Sequence, residues 1–149
     1  MTYEELLISI DLNGYENVLP SIGRNCLDSL DNMHWFIVCD DGDCHLFDRY
    51  GNENNISKIK EIYGYMIPSD IKKIVIPNNV TSINYGAFMS CCELTGVTIP
   101  DSVTNIGYRV FFNCISLESL IFKGKSLKQI KSMRNYPFGI EDESIIKCN

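Results

Sequence analysis

The sequence has few of the residues, and none of the long segments, on which several common functions depend. Only two histidines, His34 and His45, occur among the 149 residues, so a catalytic site built on a histidine base has little to draw on. No apolar run approaches the ~20 residues that a membrane-spanning helix needs. The first segment, MTYEELLISID, is acidic and lacks the basic stretch that begins a secretory signal. We therefore expect a cytoplasmic protein without a membrane span.

Charge is distributed unevenly along the chain. Residues 1–65 hold 12 acids and 4 bases, a net charge of −8, whereas residues 66–149 hold 7 acids and 9 bases, a net charge of +2; the sum is −6. An acidic first half argues against nonspecific nucleic-acid binding by that half. The length allows one domain, or one small domain joined to a short repeat array.

A repeat of 23 residues dominates the second half. Residues 76–98 read IPNNVTSINYGAFMSCCELTGVT, and residues 99–121 read IPDSVTNIGYRVFFNCISLESLI. Nine positions are identical in the two lines: Ile76/Ile99, Pro77/Pro100, Val80/Val103, Thr81/Thr104, Ile83/Ile106, Tyr85/Tyr108, Phe88/Phe111, Cys91/Cys114 and Leu94/Leu117. Apolar residues at fixed offsets predict a solenoid, in which stacked coils share the core that one coil cannot form alone.

These two lines resemble the BspA-like leucine-rich repeats, whose motif looks like IPxxVTxIGxxAFxxCxxLxxVx. Asn84 stands where the motif has Gly in the first line, and Val110 where it has Ala in the second. The resemblance covers residues 66–149, with no match before residue 65. It implies a binding or structural module, because the family is used in adhesins, host-interaction proteins, and phage or microbial proteins.

The inward positions of the predicted strands follow from the same register. They are Ile71, Ile74 and Ile76, then Leu94, Val97 and Ile99, then Leu117, Leu120 and Phe122, with Ile145 opening a fourth strand. The solenoid is predicted to begin at Met66. Ser126 and Gln129 form a capping-box pattern, and the spacing of Leu127, Ile130 and Met133 predicts a helix that seals the last coil.

The cysteines of the repeat are expected to be buried thiols. Cys91 and Cys114 should stack about 5 Å apart, which is within bridging distance. The seven cysteines are odd in number and show no disulfide framework. A ladder of free, small apolar thiols is therefore the interpretation that we favour over a bridge.

Residues 1–65 carry weaker signals. Thr2 and Glu5 form a capping-box pattern that predicts a helix over Tyr3–Ile10, ended by Asn13 and Gly14. A second helix is predicted after Pro20 and Ser21, with Ile22, Cys26, Leu27 and Leu30 on one side. Trp35–Cys39 and Cys44–Tyr50 predict a hairpin around an acidic turn. The spacing of Ile56, Ile59, Ile62 and Tyr63 predicts a last helix over Asn55–Tyr63.

Metal and catalytic sites are the alternatives for this acidic hairpin. A calcium loop beginning at Asp40 has Gly51 at its twelfth position, where a Glu is needed, so a solvated turn is favoured. A zinc set of His34, Cys39, Cys44 and His45 lacks a CxxC pair, and neighbouring strand residues point to opposite faces. A hydrolase using two of the many carboxylates is the remaining catalytic alternative to a solvated surface.

Two surfaces of the repeat region are candidate binding sites. The outward strand positions Lys73, Val75, Gly96, Thr98, Ser119 and Ile121 form a smooth, nearly neutral strip, which suits a protein partner better than a phosphate backbone. The run Lys123, Lys125, Lys128, Lys131 and Arg134 contains no acid. Lys128 and Lys131 share one helix side, so this run could meet an acidic protein, a nucleic acid or a membrane surface. The alternative for each surface is ordinary solvation.

We therefore predict an α+β protein. Residues 1–65 form a small helical and β-hairpin cap on a short leucine-rich-repeat solenoid, residues 66–149, which ends in a capping helix. The expected function is protein binding through the solenoid face or the hairpin, without catalysis, cofactor or metal. A phage or microbial effector or inhibitor in the host cytoplasm is one form of this function. The alternatives are a virion or assembly component and, in another class, a hydrolase.

Overall fold

The fold combines an antiparallel sheet near the N-terminus with two parallel sheets farther along the chain. The computed structural model describes residues 1–27 and 30–149. Its helices are α1 (Tyr3–Asn13), α2 (Tyr15–Ile22) and α3 (Leu127–Ser132), and its strands in chain order are β1 (Arg24–Leu27), β2 (Met33–Val38), β3 (Cys44–Asp48), β4 (Glu53–Asn54), β5 (Glu61–Ile62), β6 (Lys73–Val75), β7 (Ser82–Ile83), β8 (Gly96–Ile99), β9 (Asn105–Ile106), β10 (Ser119–Phe122) and β11 (Ile146–Cys148). Short 3-10 turns occupy Ile56–Lys58, Gly64–Met66 and Glu143–Ile145. This mixed content agrees with the predicted α+β class.

Helix α1 follows the local signals in its sequence. The Glu5 backbone N–H donates to the Thr2 hydroxyl oxygen at 3.2 Å, and the Thr2 N–H donates to the Glu5 carboxylate at 3.0 Å. The predicted capping box is confirmed. The helix continues to Asn13 instead of ending at Ile10, and Gly14, with a φ of 83°, caps it.

The predicted second helix is wrong. Helix α2 lies earlier and contains Pro20, while Cys26 and Leu27 belong to β1, which pairs antiparallel with β2. Gly23 ends α2, and a Cβ on it would lie 2.8 Å from the Leu19 carbonyl oxygen. Pairing with a remote strand overrides the helical spacing of a short segment. Residues 28–29 of that predicted helix lie outside the described residues.

The predicted hairpin is confirmed as strands β2 and β3. Val38 lies opposite Cys44, and His34 lies opposite Asp48. The sheet is larger than the hairpin alone, with four strands in the order β1-β2-β3-β4. The two outer strands are formed by segments that carry no strand pattern of their own in the sequence.

Consecutive repeats supply parallel strands to two further sheets, ordered β11-β10-β8-β6 and β5-β7-β9. Val97 of β8 lies opposite Ile74 of β6 and Leu120 of β10, so successive strands are offset by one repeat. Phe88 and Phe111 are fully buried, and their rings stack with centroids 5.3 Å apart. The predicted inward stacking is confirmed. All nine predicted inward side chains are buried: Ile71, Ile74, Ile76, Leu94, Val97, Ile99, Leu117, Leu120 and Phe122.

Polar side chains also connect one repeat to the next. Asn105 Nδ2 donates to Ser82 Oγ at 3.1 Å, and Asn113 Nδ2 donates to Ser90 Oγ at 3.2 Å. Each of these pairs joins positions 23 residues apart. Polar contacts in the strands β7 and β9, and in the turns that contain Ser90 and Asn113, therefore keep the same stacking as the buried core.

The predicted helix over Asn55–Tyr63 is wrong, and the repeat pattern begins before Met66. A 3-10 turn is followed by β5, whose Ile62 lies opposite Ile83 of β7. The Asn84 N–H donates to the Ile62 carbonyl at 2.8 Å. Ile59 and Ile62 are buried as Val80 and Ile83 are. Apolar spacing of three residues is common to a helix and to this coil, which explains the error.

The predicted C-terminal helix and fourth strand are both present, but the register of that strand differs from the prediction. Helix α3 has its capping box between Ser126 and Gln129 and buries Ile130. Leu127, however, is 43% exposed and does not seal the core. A fourth strand is present, but it begins at Ile146, opposite Leu120, rather than at Ile145. The turn that precedes it is irregular, so the 23-residue offset no longer holds.

In the described part of the chain, every helix is too short or too polar to cross a membrane.

Candidate protein-binding surfaces

The outward side of the β11-β10-β8-β6 sheet contains the first predicted site. Inward and outward residues alternate along each strand, as the pleat requires. Val75, Thr98, Ile121 and Lys147 occupy opposed positions on four adjacent strands. Lys73, Gly96 and Ser119 form a second opposed row on three of them. These two rows, here called the strip, place the predicted residues Lys73, Val75, Thr98, Ser119 and Ile121 on one face.

The strip has charge only at its two ends, at Lys73 and Lys147. Val75 is 56% exposed, whereas Thr98 and Ile121 are half-buried. A Cβ on Gly96 would meet nothing closer than the Ser119 carbonyl oxygen at 3.9 Å, so the surface there is open. Small and apolar groups in the middle with lysines at the margin are typical of a protein-binding surface.

The N-terminal hairpin borders the strip. The Val75 N–H donates to the Gly42 carbonyl at 2.8 Å, which brings the turn of the hairpin onto the edge of β6. Gly42 has a φ of 89°, and a Cβ there would lie 3.2 Å from the Ile74 Cα. The hairpin therefore covers a strand edge that would otherwise be a site for unwanted pairing.

A groove between the hairpin and the strip contains several polar side chains, including Asp43, His45 and Glu53. The Tyr3 hydroxyl donates to one Glu53 oxygen, and His45 Nδ1 lies 2.8 Å from the other. The Tyr3 ring stacks on the His45 ring, with centroids 4.2 Å apart. The hydrogen bond to Glu53 raises the pKa of Tyr3 to about 12. This cluster fastens α1 to the sheet.

Several polar groups of the same groove are engaged in hydrogen bonds. Both Glu53 oxygens are engaged, and the Cys44 thiol donates to the Val75 carbonyl at 3.4 Å. Burial raises the pKa of Cys44 far above its ordinary value, so it remains a neutral thiol rather than a nucleophile. Asp41 uses a side-chain oxygen to accept the Asp43 N–H at 2.9 Å, which closes the turn.

The residues of the zinc alternative are dispersed. His34 is buried, with Nδ1 3.1 Å from the Asn32 carbonyl oxygen, whereas His45 belongs to the Tyr3 cluster. Over residues 1–27 and 30–149, no three His, Cys, Asp or Glu side chains are grouped so that they could hold a metal ion. The described residues therefore give neither the zinc nor the calcium alternative a ligand set.

The second predicted site is the basic run, and its side chains differ in how freely they are exposed. Lys128, Lys131 and Arg134 are exposed on and just after α3. Lys125 is different, because its Nζ donates to the Val103 carbonyl at 2.9 Å and lies 3.4 Å from the Asp101 carbonyl oxygen. One base of the run thus fixes a turn of the preceding repeat and is not free to meet a partner.

An exposed aromatic stack was missed by the sequence analysis. The rings of Tyr85 and Tyr108 stack with centroids 6.2 Å apart, and both side chains are more than half exposed. The Arg109 guanidinium lies 5.2 Å from the centroid of Tyr108 and 4.8 Å from that of Phe112. Tyrosine and arginine are enriched among residues that dominate interfaces. The available signal was a tyrosine repeated in both lines at a position outside the inward set.

Comparison with known families supports the repeat and extends it. Residues 53–140 match the family described as the BspA type leucine-rich repeat region, in six copies. The match spans more than half of the chain and begins before Met66, in agreement with the pairing of β5 and β7. No curated protein and no solved structure matches the chain.

Proposed function

The chain belongs to the BspA type leucine-rich repeat family, and from this membership we propose that it is a protein-binding module that holds its partner on the strip. Repeats of this family generally mediate protein–protein interaction and are typically not enzymatic. The observation that carries the proposal is the register of Val75, Thr98 and Ile121, which aligns one outward residue from each of three consecutive repeats.

We propose that the two parallel sheets form a short solenoid with a cap at each end. The N-terminal sheet and its helices form one cap, which ends after β4 (Glu53–Asn54) rather than at the predicted residue 65, because β5 already pairs with β7. Helix α3 and β11 form the other. Capping of this kind is what allows a short repeat array to remain soluble.

The strip is tested by adding two large charges to its centre. Thr98→Arg with Ile121→Arg should abolish capture of the protein that the wild-type chain retains in a pull-down analysed by mass spectrometry. The matched control, Thr104→Arg with Ile115→Arg, changes the same residue types at exposed positions on other sides of the repeats. Thermal melts of both variants separate loss of binding from unfolding, because Thr98 and Ile121 are half-buried whereas Thr104 and Ile115 are exposed.

The basic run is tested separately. Replacing Lys128, Lys131 and Arg134 by Gln should leave both folding and partner binding unchanged, because exposed charges contribute little to stability. Binding that is lost with these substitutions and kept with the strip substitutions would assign the site to α3, and would also weaken steeply with salt. Binding that survives both sets would move the site to the hairpin or to the aromatic stack.

Two biological settings fit such a module. One is an effector or inhibitor of a phage or microbe that acts in the host cytoplasm, and the other is a virion or assembly component built from identical chains. The strip substitutions separate them: Thr98→Arg with Ile121→Arg should abolish capture of a foreign protein in the first setting and association between identical chains in the second. We favour the first, because the strip is a single continuous face with a neutral centre.

A further inference from the structure

The layer order of the molecule defines two opposite ends. In the antiparallel sheet, Phe36 and Leu46 pack into the core of the repeats. Ile37 and Phe47 face the other way and pack with Leu6 of α1 and with α2. Helices α1 and α2 are therefore the outermost layer at the N-terminal end. At the other end, β11 is the last strand of its sheet, and α3 packs Ile130 against the core.

The N-terminal end exposes an apolar ridge bordered by acids. Ile8 and Leu12 lie one turn apart on α1 and are 58% and 76% exposed. Glu4 precedes Ile8 by one turn, and Asp11 adjoins Leu12. Residues 1–22 contain four acidic side chains and no Lys, Arg or His. This end therefore combines exposed apolar area with charge of a single sign.

The C-terminal end carries the opposite charge. Residues 123–134 contain five bases and no acid, and of these Lys128, Lys131 and Arg134 are exposed around the 43% exposed Leu127. Three acids and one further base follow, so residues 123–149 have six bases and three acids, a net charge of +3. The two ends thus complement each other in charge, and each exposes apolar area.

We propose that a second copy of this chain is the ligand of these ends: the acidic, apolar face of α1 and α2 of one copy docks on the basic face of α3 of the next. Unlike ends attract and like ends repel, so the contact is head-to-tail. A contact of this kind is heterologous, and it forms rings or open chains of subunits rather than closed pairs. It leaves the strip free and is therefore independent of the proposed partner site.

The first measurement is sedimentation of the purified chain over a range of protein concentration. At low salt, the weight-average mass should rise above the 17.0 kDa of one chain to at least twice that value. Above about 0.5 M salt it should return to one chain, because screening weakens contacts between exposed charges. A constant mass of one chain at every concentration and salt level would overturn the proposal.

Charge reversal then identifies the surfaces. Variant A carries Glu4→Lys, Asp11→Lys and Glu16→Lys, and variant B carries Lys128→Glu, Lys131→Glu and Arg134→Glu. Each alone should be monomeric, because its two ends have the same sign. An equimolar mixture of A and B should regain the wild-type mass, since the ends of A are basic and those of B are acidic. A mixture that stays monomeric, or a single variant that still associates, would contradict head-to-tail docking.

A control raises the net charge at repeat residues that belong to neither end. Glu61→Lys with Glu118→Lys, both at exposed positions, should leave association intact. Thr98→Arg with Ile121→Arg should also leave it intact, which separates this proposal from partner binding on the strip. Loss of association in either control would assign it to overall charge or to the strip instead. Thermal melts of all variants exclude unfolding as the cause.

Discussion

The repeat region and the N-terminal region bury side chains in different ways. In the repeats, equivalent positions are buried in the same way, so Ile74, Val97 and Leu120 lie opposite one another on adjacent strands. In the N-terminal region, neighbouring residues of one strand serve two separate cores, with Phe36 facing the repeats and Ile37 facing the helices. In the repeats, the buried positions of one strand can be predicted from the strand 23 residues earlier. A sheet that is covered on both faces buries residues of either parity, so its sequence shows no such regular pattern.

The two regions also differ in how they end. In the repeat region β6 is the last strand of its sheet, and the turn of the N-terminal hairpin lies against it. The N-terminal region contacts the repeats through this turn, where the Gly42 carbonyl accepts the Val75 N–H, and through the buried side chains of Phe36 and Leu46. The stability of the array therefore depends on residues outside the repeat pattern.

The largest expected effect comes from removing the C-terminal cover. Deletion of residues 123–149 removes β11, which pairs with β10, and Phe138, whose ring lies 5.6 Å from that of Phe122. The exposed apolar edge of β10 is a template for association, so the shortened chain should aggregate in a light-scattering assay at high salt. A chain lacking only residues 148–149 keeps Ile146 and α3 and should stay dispersed. A soluble, cooperatively folded deletion chain would contradict this account.

Next in size is the loss of one ring from each core. Phe111→Ala should lower the free energy of unfolding by about 3–5 kcal/mol, because the ring is fully buried. Phe47→Ala should cost a similar amount from the smaller core. Phe112→Ala is the matched control, since this neighbouring ring is 38% exposed, and should cost less than about 1 kcal/mol. Urea unfolding measures all three, and a Phe111→Ala cost equal to the control value would refute the stacked core.

The junction between the regions is tested with Gly42→Ala. Both Gly42 and Gly86 have positive φ, so alanine at either position costs about 1 kcal/mol or more. A Cβ on Gly42 would also lie 3.2 Å from the backbone of Lys73 and Ile74, whereas on Gly86 it would meet only the Met89 side chain. Gly42→Ala should therefore cost roughly 2–3 kcal/mol in urea unfolding, clearly more than Gly86→Ala. Equal costs would show that the hairpin contact does not stabilise the array.

The smallest effect is on thiol reactivity. Burial raises the pKa of Cys91 to about 12 and that of Cys114 to about 11, so both should alkylate slowly in the native protein at pH 8. Cys148 is exposed on β11 and should label rapidly as an internal control. Because the folded pKa values are raised, folding stability should decline as the pH rises above the ordinary thiol value of 9.0. Rapid labelling of Cys91 and Cys114 without denaturant would show that the repeat register is wrong.

Much of the repeat region could be predicted because the same pattern of apolar residues occurs twice in the sequence. Phe88 and Phe111 hold the same offset in two lines, so their common burial requires no knowledge of the rest of the fold. The prediction was wrong at Ile59 and Ile62, because the first repeat differs too much from the other two in sequence. Its apolar residues are also spaced as in a helix. The prediction was also wrong at Ile145, because an irregular turn shifts the last strand.

Some residues of the candidate surfaces could also be placed from the sequence, and others could not. Val75, Thr98 and Ile121 could be placed on one face from strand alternation alone, and the structure places them on adjacent strands in register. The engagement of Lys125 by the Val103 carbonyl and the packing of Arg109 between two rings depend on side-chain contacts that no spacing rule contains. The hairpin turn on the edge of β6 is likewise a contact between residues more than 30 positions apart.

The sequence by itself determined the period of the repeat, the inward residues of its strands, the capping boxes at Thr2 and Ser126, and the hairpin around the acidic turn. These features depend on short-range backbone preferences or on an internal copy of the same pattern. Only the tertiary structure decided that residues 24–27 form a strand, that the first repeat begins before Met66, and that α1 and α2 form the outer layer on the antiparallel sheet. Strand pairing and layer order are fixed by contacts between distant residues, which compete with local propensity and here override it.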